Sequence, residues 1–460
     1  MPVQISHRLT VFALAALLAT FGTPLAGPWQ GPVMGTNQAL ADDDDDGDDD
    51  DDAGGSGGAG SDRSPSARGG GSGGRPLDIF RQRQANPRRT APTREPATHA
   101  PREIVALGLD DAALATLLAE GYAVRERVAV ALDGGSALVK LGIPRGVTLE
   151  AALSRAVELA PRAEVDFNHY YRPDQAGNER CGANVCLARQ VVGWPAADTF
   201  AGRCTKPARI GLIDTAVNAD HLAFAGGRIE TIRLGQGDLP ASGRQHGTAV
   251  AALLIGSAES RTPGLVPGGE LIAVDAFHRG DGSDDRSEVY DLVRAIDLLA
   301  ARGVQVINMS LTGPANPLLE KTVGNATETD IVLVAAAGND GPRAAPLYPA
   351  AYDGVIAVTA IDRAKNPYRR AGSGDHIDIA APGVQVWTAA SVKGAQPKTG
   401  TSFAAPFVTA AAAILKASNP ALGAGEVEAL LRQSAEDLGA PGKDPVYGWG
   451  LLNGRAICHG

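Results

Sequence analysis

From about residue 205 onward, short runs of consecutive apolar residues alternate with longer stretches in which apolar positions recur every third or fourth residue. The runs "ARIGLID", "GELIAVDAF", "VQVINMSL", "DIVLVAAAG" and "GVIAVTAID" predict buried strands, and helices are predicted near His246, around Ser287 to Ala301, near Leu318 and from Ser402. In the second of these helices Val289, Leu292, Val293, Ile296 and Leu299 fall on one stripe. Apolar strands interleaved with helices predict an α/β fold with a doubly wound, mostly parallel sheet. Polar residues at the carboxyl ends of its strands are then the first places to look for chemistry.

A smaller pattern precedes it. From Glu103 to about Tyr171 the segments "EIVALGL", "DDAALATLLAEG", "YAVRERVAVAL", "SALVKLGI", "TLEAALSRAVELA" and "AEVDFN" predict βαββαβ, a ferredoxin-like α+β unit. Asp110 and Thr148 stand where helix caps belong, and Asp133-Gly134-Gly135 supplies a hairpin turn. The polar run "HYYRPDQAG" after the last strand is expected to be flexible enough to enter a cleft.

Length and charge place these two patterns in a longer chain. The 460 residues, 44% of them apolar, suffice for more than one folded unit. The net charge of −10 is accounted for by ten aspartates between Asp42 and Asp52, so nothing global points to nucleic acid. Residues 1–41 predict an export signal, with "LTVFALAALLATF" after His7 and Arg8 and a small-residue site at Ala39-Leu40-Ala41; a cut after Ala26 is the alternative. Residues 42–102, acidic and then rich in Gly, Ser, Arg and Pro, predict an unfolded linker. Cys181, Cys186, Cys204 and Cys458 suit an oxidising compartment and allow three pairings, of which Cys181–Cys186 with Cys204–Cys458 is preferred.

Asp214 ends the strand "IGLID", His246 opens the helix "HGTAVAALLIG", and Ser402 opens "SFAAPFVTAAAAILK". Taken singly, each has an ordinary structural role as a cap or a surface residue. Together they supply a nucleophile, a base for its proton and a carboxylate to orient the base. Asn339, in "AAAGNDG", adds an amide donor for a developing oxyanion beside the Ser402 N–H. Gly400 is expected to admit a close backbone approach, and the apolar tail to hold the hydroxyl still.

On "GLIDTAV", "HGTAVA", "INMSLTG", "AAAGN" and "GTSFAAPFV", in that order, residues 205–455 resemble the subtilisin-like serine proteases. The resemblance implies a secreted, monomeric serine endopeptidase, extracellular or periplasmic, acting on protein or peptide substrates without a cofactor or a lasting membrane anchor. It implies Asp214, His246 and Ser402 as the triad and Asn339 as an oxyanion donor. Substrate is expected along Ser310, Leu311, Thr312 and Gly313 and along Ala336, Ala337 and Gly338. Residues 103–172 look like the family's inhibitory propeptide, and residues 173–460 like its catalytic domain. Departures include Ala249 and Phe407 where the family often has histidine, Thr312 in the binding edge, and "GSAESRTPG", whose few carboxylates give no indication of calcium or another metal. The rival readings are an inactive binding protein with this fold, a surface protein working through its acidic tract, and an α/β-hydrolase. The last would place its serine in Gly-x-Ser-x-Gly.

Overall fold

A computed structural model describes residues 97–173, 187–195, 209–235, 239–280 and 284–459, all within one compact unit, Arg89–Gly460. The expected export segment, the acidic tract, and Cys181, Cys186 and Cys204 lie outside the described residues; Cys458 falls in the last helix, with its side chain outside what is described.

The amino-terminal part runs β1 (His99–Leu107), α1 (Asp111–Ala119), β2 (Ala123–Val130), β3 (Ser136–Gly142), α2 (Leu149–Leu159) and β4 (Glu164–Pro173). Its strands lie antiparallel in the order β2-β3-β1-β4, the ferredoxin-like arrangement. Asp110 and Thr148 cap α1 and α2, accepting from the N–H groups of Ala113 and Ala151. Successive residues of a strand face opposite sides. Ile104 and Ala106 accordingly pack under α1 and α2, while Val105 and Leu107 join a different core shared with the following domain. Over Ile104–Leu107 of β1 both faces are therefore buried, while the edge strand β2 is largely exposed.

Two sequence expectations are corrected here. Strand β1 begins at His99, inside the stretch expected to be unfolded, because His99 pairs with His169 and stacks on Phe167 at 5.2 Å. Strand β4 runs on through His169–Pro173, which is extended and paired rather than flexible. The physical cause is the same in both cases: partners distant in sequence satisfy backbone groups of a locally polar segment.

The larger part begins with α3 (Leu187–Val191), β5 (Arg209–Asp214), β6 (Arg228–Arg233), α4 (Gln245–Ile255) and β7 (Glu270–Asp275). It continues with β8 (Phe277–Arg279), β9 (Asp285–Glu288), α5 (Val289–Ala301), β10 (Val306–Met309), β11 (Leu311–Thr312), α6 (Pro317–Glu328), β12 (Val332–Ala336) and β13 (Val355–Ile361). It ends with β14 (Ile379–Pro382), the hairpin β15 (Val386–Ala389) and β16 (Ala395–Lys398), then α7 (Thr401–Ser418), α8 (Ala424–Ser434) and α9 (Gly454–His459). Seven strands form a parallel sheet in the order β14-β13-β12-β10-β5-β7-β6. Helices α4 and α7 cover one face, and α5 and α6 the other.

Chain order reverses between β5 and β10, and open α/β sheets hold their sites at the carboxyl ends of the strands beside such a reversal. Ser287, expected in a helix, instead belongs to β9, where it pairs with Tyr171. Helix α7 is long and apolar enough by composition to cross a membrane, but 89% of it is buried as the core helix of this domain.

Candidate active site

Asp214, His246, Ser402, Asn339 and the expected binding edges lie at or just beyond the carboxyl edge of the parallel sheet. Asp214 is the last residue of β5, His246 lies in the first turn of α4, and both are almost fully buried. Asp214 Oδ1 accepts from His246 Nδ1 at 2.7 Å and from the Thr215 N–H at 2.7 Å. Thr215 Oγ1 in turn accepts the Gly247 N–H at 3.0 Å, tying the strand end to the helix start. With Nδ1 on the carboxylate, the imidazole is fixed with Nε2 as its other reactive edge. Among the described residues Nε2 has no hydrogen-bond partner, and neither has Asp214 Oδ2. Buried polar atoms left in this way are uncommon.

Ser402 is the second residue of α7, wholly buried. Gly400 is the N-cap, and its φ of 149° lies in the region that favours glycine. The Ser402 hydroxyl donates to the Ser310 carbonyl at 3.2 Å, while the Ser310 hydroxyl donates to the Ser402 carbonyl at 2.9 Å. Asn308 Nδ2 donates to Ser310 Oγ at 2.9 Å, and Thr409 Oγ1 donates to Asn308 Oδ1 at 2.9 Å. The first turn of α7 is thus clamped to the end of β10. Phe403, next to the serine, places its ring 5.4 Å from that of His246. A rotation of the serine side chain about its first torsion redirects the hydroxyl without moving the backbone.

Asn339 follows β12 and is 2% exposed. Its Oδ1 accepts the Thr401 N–H at 3.1 Å, so the oxygen end of the amide faces the start of α7 and the NH₂ end faces away from that bond. The Gly338 N–H donates to Thr401 Oγ1 at 3.1 Å.

The expected binding edges have different surroundings. Leu311 and Thr312 form β11 and pair with Pro173 and Arg172 of β4; Gly313 exchanges hydrogen bonds with Tyr348 at 2.8 and 3.0 Å. Ala336 closes the interior strand β12, the Ala337 N–H donates to the Val358 carbonyl, and the Gly338 carbonyl accepts the Gly372 N–H. On its other edge β4 pairs with β9, Tyr170 opposite Glu288 and Tyr171 opposite Ser287. The amino-terminal strand therefore fills the slot between β9 and β11, with Pro173, the last described residue of β4, opposite Leu311.

Sequence reasoning missed three features of this region. Ser310 is engaged with Ser402 itself. Asp275 and Ser242 stand behind Asp214. Glu288, on β9, is held by Lys140 and Asn168 of the amino-terminal unit at 2.6 and 2.8 Å. A strand-end aspartate, a loop serine and a strand glutamate carry no local signal of this kind.

The sequence model of the Subtilase family matches residues 205–450. The chain belongs to the subtilase family. It is a serine endopeptidase. It is 35% identical over 256 residues to Subtilisin DY of Bacillus licheniformis, covering 54% of this chain and 89% of that protein. Over 260 residues it is 32% identical to the Minor extracellular protease Epr of Bacillus subtilis (strain 168), covering 56% of this chain but 39% of that one. In fold it is similar to fervidolysin from Fervidobacterium pennivorans, with a TM-score of 0.67 at 20% identity, covering 79% of this chain and 62% of that chain. The structural likeness thus reaches beyond the part that the subtilase sequence match spans, and it shows the fold of that part alone.

Proposed function

We propose that the protein is an exported subtilase made as a zymogen, with Asp214, His246 and Ser402 as its triad and residues 103–172 as a cleavable inhibitor and folding aid. One observation carries the reading: β4 occupies the slot between β9 and β11 as an added antiparallel strand, and its Pro173 lies opposite Leu311, the neighbour of the Ser310 that bonds Ser402. Peptide substrates are recognised in the same way, by strand addition to a sheet edge.

In the reaction Ser402 Oγ attacks the substrate carbonyl and passes its proton to His246 Nε2, the nitrogen left open by the Asp214 bond. Asp214 holds the tautomer and stabilises the imidazolium. Asn339 Nδ2 and the Ser402 N–H receive the oxyanion. The imidazolium then gives its proton to the leaving amine, and water returns the acyl group as a carboxylic acid. Export is supported by the leader-like residues 1–41 and by the name of the extracellular relative.

The test compares the amino termini of the wild type and Ser402→Ala chains made in a host without active proteases of its own. The wild type is expected to begin between about Tyr170 and Cys181, and the variant to retain its amino-terminal unit. Identical amino termini overturn self-processing, and peptide hydrolysis by the pure variant overturns the triad. An inactive binding protein would instead hydrolyse no peptide in either form.

A further inference from the structure

Behind the Asp214–His246 pair lies a second carboxylate that the reaction as described does not use. Asp275 ends β7 as Asp214 ends β5, and the two are register partners on neighbouring parallel strands, roughly 5 Å apart along the sheet. It is 8% exposed. Its Oδ1 accepts from Ser242 Oγ at 2.8 Å and from the Phe277 N–H at 3.2 Å. Ser242 Oγ in turn accepts the Ala216 N–H at 2.9 Å. Ala216 lies two residues after Asp214, and Ser242 lies four residues before His246. One hydroxyl, aligned by one carboxylate, thus braces the turn behind the catalytic aspartate and the approach to the catalytic histidine together.

We propose that Asp275 is a positioning residue of the catalytic pair, holding the Asp214 turn through Ser242 and adding negative charge behind the imidazolium that forms during acyl transfer. The proposal rests on the triad reading given above. Two carboxylates confined at adjacent strand ends resist being charged together. Burial, assisted by the neighbouring Asp214 charge, pushes the Asp275 carboxyl up to about 6, against the opposing pull of the Ser242 and Phe277 hydrogen bonds and of Arg233. The charged groups around it are Asp214 on β5, Arg233 opposite it on β6, His246 on α4, and the ion pair Arg279–Asp285 of β8 and β9, whose aspartate accepts the Gly243 N–H.

The sign of the effect follows. Above pH 7 Asp275 is ionised and favours the imidazolium; below pH 5 it is neutral and contributes little charge. Asp275→Asn keeps an oxygen for Ser242 and Phe277 but never carries the charge. Its deficit against the wild type must therefore grow with pH.

The experiment measures kcat and KM for one peptide substrate from pH 5 to 9 with the wild type, Asp275→Asn, Asp275→Ala and Ser242→Ala, active sites being counted with a serine-directed phosphonate. For Asp275→Asn the expected wild-type-to-variant ratio of kcat is close to one at pH 5 and about fivefold above pH 7, with KM unchanged. Asp275→Ala and Ser242→Ala, which break the brace, are expected to lose about ten- to a hundredfold in kcat at every pH, and asparagine is expected to rescue most of that loss. A pH-independent ratio for Asp275→Asn overturns the charge, and full activity in Ser242→Ala overturns the brace. If Asp275→Ala does not fold, the asparagine and Ser242 variants decide alone. Activity surviving in Ser402→Ala would overturn the triad reading itself, separately from either result.

Discussion

The serine hydroxyl donates to the carbonyl of Ser310, a residue expected in the binding edge. On the proposed mechanism an arriving acyl group meets a nucleophile positioned by the same strand end that is proposed to guide the substrate. Ser402→Ala is expected to lower peptide hydrolysis by several orders of magnitude without unfolding the protein, because the lost group is a single hydroxyl; thermal melting alongside the rate assay checks both halves. Asn339→Ala is expected to cost about 10²–10³ in kcat, as the loss of one oxyanion donor does, and an unchanged rate would remove Asn339 from the site. At this scale the sequence was informative where candidate residues stand in short motifs: it singled out Asp214 and His246, which the structure joins at 2.7 Å, and Ser402, in the first turn of α7. It was silent where the same residue types serve those motifs from elsewhere. Asp275 reads as an ordinary strand end and Ser242 as a loop serine, because their meaning comes from register across the sheet and not from neighbours along the chain.

Among the elements, β4 departs furthest from what local patterning predicts. Its first half alternates as a strand should, while His169–Pro173 is polar enough to resemble a loop. What makes it a strand is pairing with residues more than a hundred positions away on β9 and β11. Tyr171 fixes the pairing: it is wholly buried, its hydroxyl donates to the Pro314 carbonyl at 2.8 Å, and a side chain at Gly313 would collide with its ring. Beside this strand Lys140 and Glu288 form a buried ion pair, with the Lys140 ammonium also over the Tyr290 ring at 4.6 Å. Taking away one partner of such a pair strands the other, at a cost of about 3 kcal/mol or more. Lys140→Met is therefore expected to weaken inhibition by the amino-terminal unit a hundredfold or more, read as Ki when that unit is added in trans. The Glu288 carboxyl feels burial pushing it up, but the Lys140 charge and the Lys140 and Asn168 hydrogen bonds outweigh burial and hold it below its ordinary 4.5. A depressed carboxylate contributes its stabilisation above that value and loses it as pH falls through the depressed one, so inhibition should weaken in acid. A Ki that is flat across this range would show that the pair does not contribute to docking.

At the scale of the whole molecule, the class of each unit was legible because it depends on repeated local signals. Apolar runs spaced by helical stripes give a parallel sheet, and two β segments around each of two helices give the smaller unit. How the two units meet was not legible, although its trace is present in the sequence. The strand "EIVAL" is apolar at consecutive positions, which fits a strand covered on both faces, with Ile104 facing α1 and α2 and Val105 facing the catalytic part. An isolated ferredoxin-like unit leaves one face of its sheet open, so the continuous run hinted at a second covering surface without naming it. The single-strand slot filled by β4 bears on how the enzyme can be kept. If β4 leaves as the zymogen proposal has it, β9 and β11 are left with backbone N–H and C=O groups open, to which an extended chain, including one from another copy, is expected to pair. On the proposed zymogen reading, a concentrated stock of trimmed enzyme is expected to clump as well as to digest itself, and the untrimmed Ser402→Ala form to do neither. Ser402→Ala chains trimmed in trans by the wild type and freed of their amino-terminal unit should sediment as larger, concentration-dependent species, and untrimmed chains as a single small one. Equal sedimentation would mean that the slot closes by itself, and that the amino-terminal unit guards only against cutting.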